Sequence, residues 1–229
     1  MVSPMLVLAH RGANRLAPEN TVAAMARAVE LGADGVELDV HRSADGQLVV
    51  RHDADTPIGA LGDLTLAEVR AGLAGVPTLA EVLDVCRGRL VNVEVKDPDP
   101  RAAEALVALL GQRNAADDVL VSSFDLPTVD RVHEAAPQVP SGLLSFGLDV
   151  FEALATAEAH GHHALHPDVW TVLQADVAAL TSEAHDRGMR VNVWTVNEAD
   201  DLLRLRDAGV DAVITDDADL YRFAVRVRG

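Results

Sequence analysis

Cysteine is nearly absent from this chain of 229 residues. The single one, Cys86, excludes an intramolecular disulfide framework and any cysteine-rich zinc site, and its surroundings read as helix packing. Aromatic residues make up only 3% of the chain against 49% hydrophobic, so the core must be built from Ala, Val and Leu. Such side chains suit helices packed tightly on a buried sheet. Basic residues number 19 against 36 acidic ones, a formal charge of -17. A field of that sign repels phosphate backbones and anionic lipid surfaces, so nucleic acid is disfavoured as a partner. No segment reaches the ~20 apolar residues that span a bilayer, so no integral membrane association is expected. Met1 to Ala9 carry neither a basic leader nor a small-residue cleavage site, which points to a cytoplasmic protein. No Gly-x-Gly-x-x-Gly and no Gly-rich loop with lysine follows any candidate strand, which takes away the usual support for a nucleotide site.

What is present is alternation. Strands are predicted over Met5 to Ala9, Gly35 to Val40, Leu90 to Val95, Val119 to Ser123, Ser141 to Leu144, His163 to Leu165, Arg190 to Trp194 and Ala212 to Thr215. Helical patterns lie between them, such as Val22, Met25, Ala26 and Val29 on one face, with Asn20 (or Thr21) as the cap and Gly32 after the run. About eight strand-helix cycles in a chain of this length predict a single-domain α/β protein over residues 1–229, a (β/α)₈ TIM-type barrel. A doubly wound open sheet is the rival, but its glycine fingerprint is missing. One excursion breaks the rhythm: Asp45-Gly46 reads as a hairpin turn into an extra short strand, Gln47 to Arg51, that ends at His52.

Polar residues then appear on faces that should be apolar. Glu37 and Asp39 are two apart and share one face of their strand, while Leu38 and Val40 take the face that packs under helices. Asn92, Glu94 and Lys96 repeat this inversion against Val91, Val93 and Val95. Neighbouring strands lie ~4.8 Å apart, so Glu37, Asp39 and Glu94 converge at one mouth of the barrel. Two unit charges ~4 Å apart at an effective dielectric of ~20 repel by roughly 4 kcal/mol, so the cluster needs a cation. All-oxygen ligation points to Mg²⁺ or Ca²⁺ rather than zinc. His10 and Arg11 end the first strand beside the carboxylates, and His52 overhangs the same mouth. Lys96 is the only lysine in the chain. Three carboxylates, a divalent ion, two cations and a monoanionic phosphodiester balance to zero charge, and two histidines supply a general acid and a general base.

These residues resemble the glycerophosphodiester phosphodiesterase family. The likeness runs through His10-Arg11-Gly12, Pro18-Glu19-Asn20-Thr21, Glu37-Leu38-Asp39, Asp45-Gly46, His52-Asp53, Pro77-Thr78-Leu79, Asn92-Val93-Glu94-Val95-Lys96, Ser123-Phe124, Val193-Trp194-Thr195-Val196-Asn197 and Gly209 to Asp216. It implies a (β/α)₈ barrel that hydrolyses small glycerophosphodiesters to an alcohol and glycerol 3-phosphate with a divalent metal. By position it implies His10 and His52 as the acid/base pair, Glu37, Asp39 and Glu94 as metal ligands, and Arg11 and Lys96 as phosphate holders. Which histidine is the acid, and whether the glycerol 2-hydroxyl or water attacks phosphorus, stay open. Trp194 and Phe124 are candidates for the wall of the glycerol pocket. Glu19 is a candidate partner of Arg11 or His10. The chain departs from the family between His52 and Pro77, where an Arg-Thr-Thr motif is missing.

Alternative readings are a lysophospholipid or sphingolipid phosphodiester lyase and a non-catalytic phosphodiester-binding barrel. The histidines His160, His162, His163 and His166 read as a solvated turn with only His166 near the mouth, and His133 and His185 as surface residues on helices. The oligomeric state is not legible.

Overall fold

The computed structural model describes residues 5–217 and 220. In chain order the elements are β1 (Leu6–His10), α1 (Val22–Glu30), β2 (Gly35–Arg42), β3 (Leu48–Val50), β4 (Asp55–Thr56), β5 (Gly59–Ala60), α2 (Leu66–Gly72), α3 (Leu79–Val85), β6 (Leu90–Val95) and α4 (Pro100–Arg113). There follow β7 (Val119–Ser123), α5 (Leu126–Ala135), β8 (Ser141–Ser145), α6 (Val150–Ala159), β9 (Ala164–Pro167), α7 (Val169–Gln174), α8 (Val177–Asp186), β10 (Arg190–Val193), α9 (Ala199–Asp207) and β11 (Ala212–Thr215). Strands β1, β2, β6, β7, β8, β9, β10 and β11 are parallel neighbours in that order, and β11 pairs back with β1. The sheet therefore closes into an eight-stranded barrel, and the open-sheet alternative falls away. Within the described residues, no helix is long and apolar enough to cross a membrane.

Strand alternation separates two interiors. Val7, Ala9, Val36, Leu38, Val40, Val91, Val93 and Val95 face outward and pack with the helices in one continuous apolar cluster. Aliphatic side chains suffice for this layer, and no aromatic residue is among the buried apolar residues described. The barrel lumen is more polar and holds Asn92, Ser122, His166 and Asn192, all buried. Gly142 makes this possible, because a Cβ there would lie 2.6 Å from the His166 ring.

The extra strand pairs antiparallel with the far end of β2, Val40 opposite Val50 and Arg42 opposite Leu48. Gly46 takes φ +84° at the turn between them, a conformation that favours glycine. Beyond β3 the chain forms the small β4–β5 hairpin and α2, which close over their own cluster of Val49, Leu61 and Val69.

Two expectations change locally. Of the two candidate caps of α1, Thr21 is the one used, its Oγ1 accepting from Ala24 N at 3.2 Å, and Asn20 is not the cap. The buried face of α1 is Ala24, Met25 and Ala28, while Val22 is exposed. Close approach sets one contact of this face: a Cβ on Gly12 would lie 2.6 Å from the Ala24 backbone, so the helix meets the β1 turn there through a glycine and an alanine. Cys86 is buried and ends α3, where burial pushes its thiol up to about 11 and leaves it inert.

Candidate active site

The functional side chains collect where β1, β2 and β6 end. In the barrel register His10 is level with Glu37, Glu37 with Asn92, and Asp39 with Glu94. Glu37, Asp39 and Glu94 are all buried, and each offers a carboxylate oxygen within 4.8 Å of the other two. Lys96 Nζ lies 2.9 Å from Glu94 and 3.4 Å from Asp39. Arg11 follows β1 in a left-handed conformation, φ +56°, with Gly12 at φ +79°. This turn aims the Arg11 amide at Glu37 (3.2 Å) and its guanidinium at Glu19 (3.0 Å) and Asp39 (3.3 Å). Glu19 thus partners Arg11, not His10.

The two histidines are held differently. His10 Nδ1 is 2.6 Å from Asp216 at the end of β11, and its Nε2 lies 3.9 Å from Glu37. Asp216 accepts from Asn14 Nδ2 at 2.5 Å and from Asn197 Nδ2 at 2.9 Å, while its own amide donates to Asn197 Oδ1 at 2.9 Å. His52 is delivered by β3: the Arg51 amide donates to the Asp39 carbonyl at 3.0 Å, and the His52 carbonyl accepts from His41 Nε2 at 2.9 Å. The His52 ring, half-exposed, sets Nδ1 2.7 Å from Asp53.

The electrostatics follow from burial and neighbours. Burial first, then the charges of Asp39 and Glu94, push Glu37 well above the usual carboxylate range. Burial and Asp39 also raise Glu94, with Lys96 opposing. For Lys96, burial lowers the ammonium, but Glu94 and Asp39 outweigh it and the net shift is upward. Asp216 goes the other way: burial resists ionisation, and hydrogen bonds from His10, Asn14 and Asn197 override it and hold the carboxyl far below its usual value.

His10, Arg11, Glu37, His52, Glu94 and Lys96 line one cavity of about 210 Å³, whose opposite wall includes Phe124 and Trp194. The mouth therefore brings together the residues that the sequence pattern singles out. It also recruits side chains that pattern reading did not assign. Asn20, in a left-handed conformation, donates Nδ2 to Asp39 Oδ2 at 2.8 Å and accepts from the Asp39 amide at 3.3 Å. Asp216, Asn14 and Asn197 orient His10; the motif ending at Asp216 was the one signal for it.

Of the remaining histidines, His160, His163 and His185 are exposed as expected, and His166, His162 and His133 depart from expectation. His166 is not at the mouth but inside the barrel, where burial pushes it down to about 3 and its Nε2 accepts from Asn192 at 3.0 Å. His162 is not solvated: it is buried at the opposite end of the barrel, 3.1 Å from Asp130 of α5, which also holds the exposed His160 at 3.0 Å. His133 packs its ring 5.8 Å from that of His162 and is only partly at the surface, whereas His185 is exposed and paired with Asp211 at 3.0 Å. His163 is exposed and accepts from the Ser141 amide at 3.1 Å.

The profile of the glycerophosphoryl diester phosphodiesterase family matches residues 10–220, from the first site histidine past Asp216. The chain belongs to this family. Among curated members, the glycerophosphodiester phosphodiesterase of Caldanaerobacter subterraneus subsp. tengcongensis is 35% identical over 98% of this chain and 99% of its own length. That of Bacillus subtilis is 31% identical over 96% and 87%. Among solved structures, the Thermotoga maritima glycerophosphodiester phosphodiesterase superposes with a TM-score of 0.84 at 28% identity, covering 98% of each chain. An Oleispira antarctica phosphodiesterase, solved in complex with the product sn-glycerol-3-phosphate, superposes with a TM-score of 0.85 at 27% identity, covering 96% of each chain. Family membership places the chain among the phosphoric diester hydrolases.

The carboxylate site fits a hard divalent cation. All its donors are oxygen, the three carboxylates are buried together against their own repulsion, and the neighbouring Asn92 Oδ1 is buried with no hydrogen-bond partner among the described residues.

Proposed function

We propose that this protein hydrolyses small glycerophosphodiesters to an alcohol and glycerol 3-phosphate, with a divalent cation held by Glu37, Asp39 and Glu94 and with His10 and His52 as base and acid. The observation that carries the reading is the convergence of both histidines, Arg11, Lys96 and the carboxylates on one small cavity. The bound ion supplies positive charge against the phosphodiester oxygens and favours ionisation of the attacking hydroxyl.

The chain's own residues do the rest. Asp216, held ionised, accepts a hydrogen bond from His10 Nδ1–H and so fixes the tautomer in which the Nε2 lone pair faces the cavity. His10 Nε2 takes the proton of the attacking oxygen. His52, half-exposed and paired with Asp53, carries the proton that the departing alkoxide needs and regains it from solvent. Lys96 and Arg11 bring charge to the phosphate from the base of the same cavity, with Asn20 steadying Asp39 between them. The product bound in the Oleispira antarctica relative supports the choice of substrate.

Exchange of the leaving group tests the division of labour. An alkoxide has a conjugate acid of pKa roughly 15, comparable to water, so its protonation forms a large part of the barrier. Nitrophenolate leaves without a proton. His52→Ala should lose activity on an alkyl diester and be largely forgiven on a nitrophenyl one, and His10→Ala should lose activity on both. Equal penalties for the two variants on both substrates would refute the assignment.

A further inference from the structure

A second cavity, of about 350 Å³, adjoins the reaction site at His52, which belongs to the walls of both. Its other walls are residues 18–21 before α1, residues 50–53 leaving β3, and residues 74–76 between α2 and α3. The chemistry derived above makes no use of it. The strand that delivers Arg51 and His52 to it is pinned on both sides: the Val50 amide donates to the Pro77 carbonyl at 2.8 Å and the Arg51 amide to the Asp39 carbonyl at 3.0 Å.

The charges in this cavity are unevenly satisfied. Its two carboxylates are engaged toward the mouth, Glu19 with Arg11 at 3.0 Å and Asp53 with His52 at 2.7 Å, and their side chains remain 50% and 68% exposed. Arg51 has neither. Among the described residues its half-buried guanidinium makes no ion pair, its Nε is buried without a hydrogen-bond partner, and Asp53 feels its charge only weakly, behind His52. The Nε edge of a guanidinium takes a carboxylate through two parallel hydrogen bonds. The cavity therefore calls for an anion at Arg51 and, beside it, a cation for the exposed oxygens of Glu19 and Asp53. A second phosphate would be repelled by both carboxylates, and a polyol, ethanolamine or choline head group would leave Arg51 unpaired.

His52 also decides which part of a substrate enters. As the group that protonates the departing alkoxide, it holds the head-group oxygen, and the rest of the head group continues into the space that adjoins it. We propose that this cavity is a head-group subsite selecting diesters of a serine-type amino acid, with Arg51 taking the carboxylate and Glu19 and Asp53 the ammonium. The inference rests on the phosphodiesterase reading above and names the substrate class within it.

Glycerophosphoserine and glycerophosphoethanolamine differ only in the carboxylate, so their kcat/KM ratio tests Arg51. The serine diester should lead by roughly tenfold or more. Arg51→Gln should bring the ratio toward one, and Arg51→Lys should keep part of it. A ratio of one or below in the unaltered enzyme, or a ratio that Arg51→Gln leaves in place, would overturn the proposal. The diester of glycerate, with a hydroxyl in place of the ammonium, should fall behind the serine diester; equal or faster turnover of it would overturn the amino-acid assignment.

Calorimetric titration of Mg²⁺-loaded His10→Ala protein reads binding apart from turnover. The serine diester should bind more tightly by a similar factor, and adding Arg51→Gln should remove the difference. Absence of a preference overturns the subsite. A preference in this titration, in a protein whose unaltered form turns over no diester, leaves the subsite standing and counts against the phosphodiesterase reading alone.

Discussion

The two halves of the barrel mouth are built on opposite principles. On the β1–β2–β6 side every functional group is held by another charged or polar group, often from far along the chain: His10 by Asp216 across 206 positions, and Asp39 by Asn20 across 19. On the β7–β10 side the rings of Phe124, Phe146 and Trp194 are positioned by backbone anchors and by one another, and Phe124 and Phe146 stay exposed. The polar half is preorganised and electrostatically expensive, as the raised Glu37 and Glu94 show. The aromatic half stores no such strain. Substitutions on the first side should therefore damage the chemical step, and those on the second should alter which substrate is taken.

The largest effect should come from His10→Ala, with kcat on an alkyl diester reduced about 10²- to 10⁴-fold while circular dichroism is unchanged. Lys96→Met should follow at roughly 10²-fold in kcat, if its charge counters charge developing on the phosphate. Lys96→Arg should rescue this only in part, since a planar fork replaces a compact ammonium. Wild-type kinetics in Lys96→Met would dissolve the charged half as a unit. The supporting groups come next: Asp216→Asn should cost about 10- to 100-fold in kcat, and Asn20→Ala a similar factor in metal affinity measured by titration.

A smaller effect concerns stability and pH. Glu37 and Glu94 have folded-state pKa values above their ordinary 4.5. Above pH 4.5 the unfolded chain has released these protons and the folded chain still holds them, so stability falls as pH rises through that window. A bound divalent ion takes the place of the protons and removes the penalty. The gain in Tm on adding Mg²⁺ or Ca²⁺ to chelated protein should therefore grow from about pH 5 to about pH 8, and a gain independent of pH would contradict the carboxylates as ligands. The smallest effect lies on the aromatic side: Phe146→Ala, at an exposed position, should change unfolding free energy by no more than about 0.5 kcal/mol.

The barrel was legible because strand and helix periods differ and the strands are short, and the metal-site carboxylates because Glu-x-Asp and Asn-x-Glu put acid on faces whose alternates are aliphatic. The supporting shell was not. Nothing in sequence spacing joins Asn14 or Asn197 to Asp216, since their proximity exists only once β1, β10 and β11 are neighbours. Asn20 was misread because a short polar residue before a helix satisfies the capping pattern, and its left-handed backbone instead turns the amide to Asp39. His162 and His166 were misread for a related reason: four histidines within a short stretch look solvated, and only Asp130 on another helix and the space left by Gly142 bury two of them.

Release of glycerol 3-phosphate from a glycerophosphodiester, followed in chelated protein and again after adding Mg²⁺ or Ca²⁺, tests the charged half most directly. Chelation should abolish release and either ion should restore it, in wild type but poorly in Glu94→Gln. Full release by protein shown to be metal-free by elemental analysis would contradict the site.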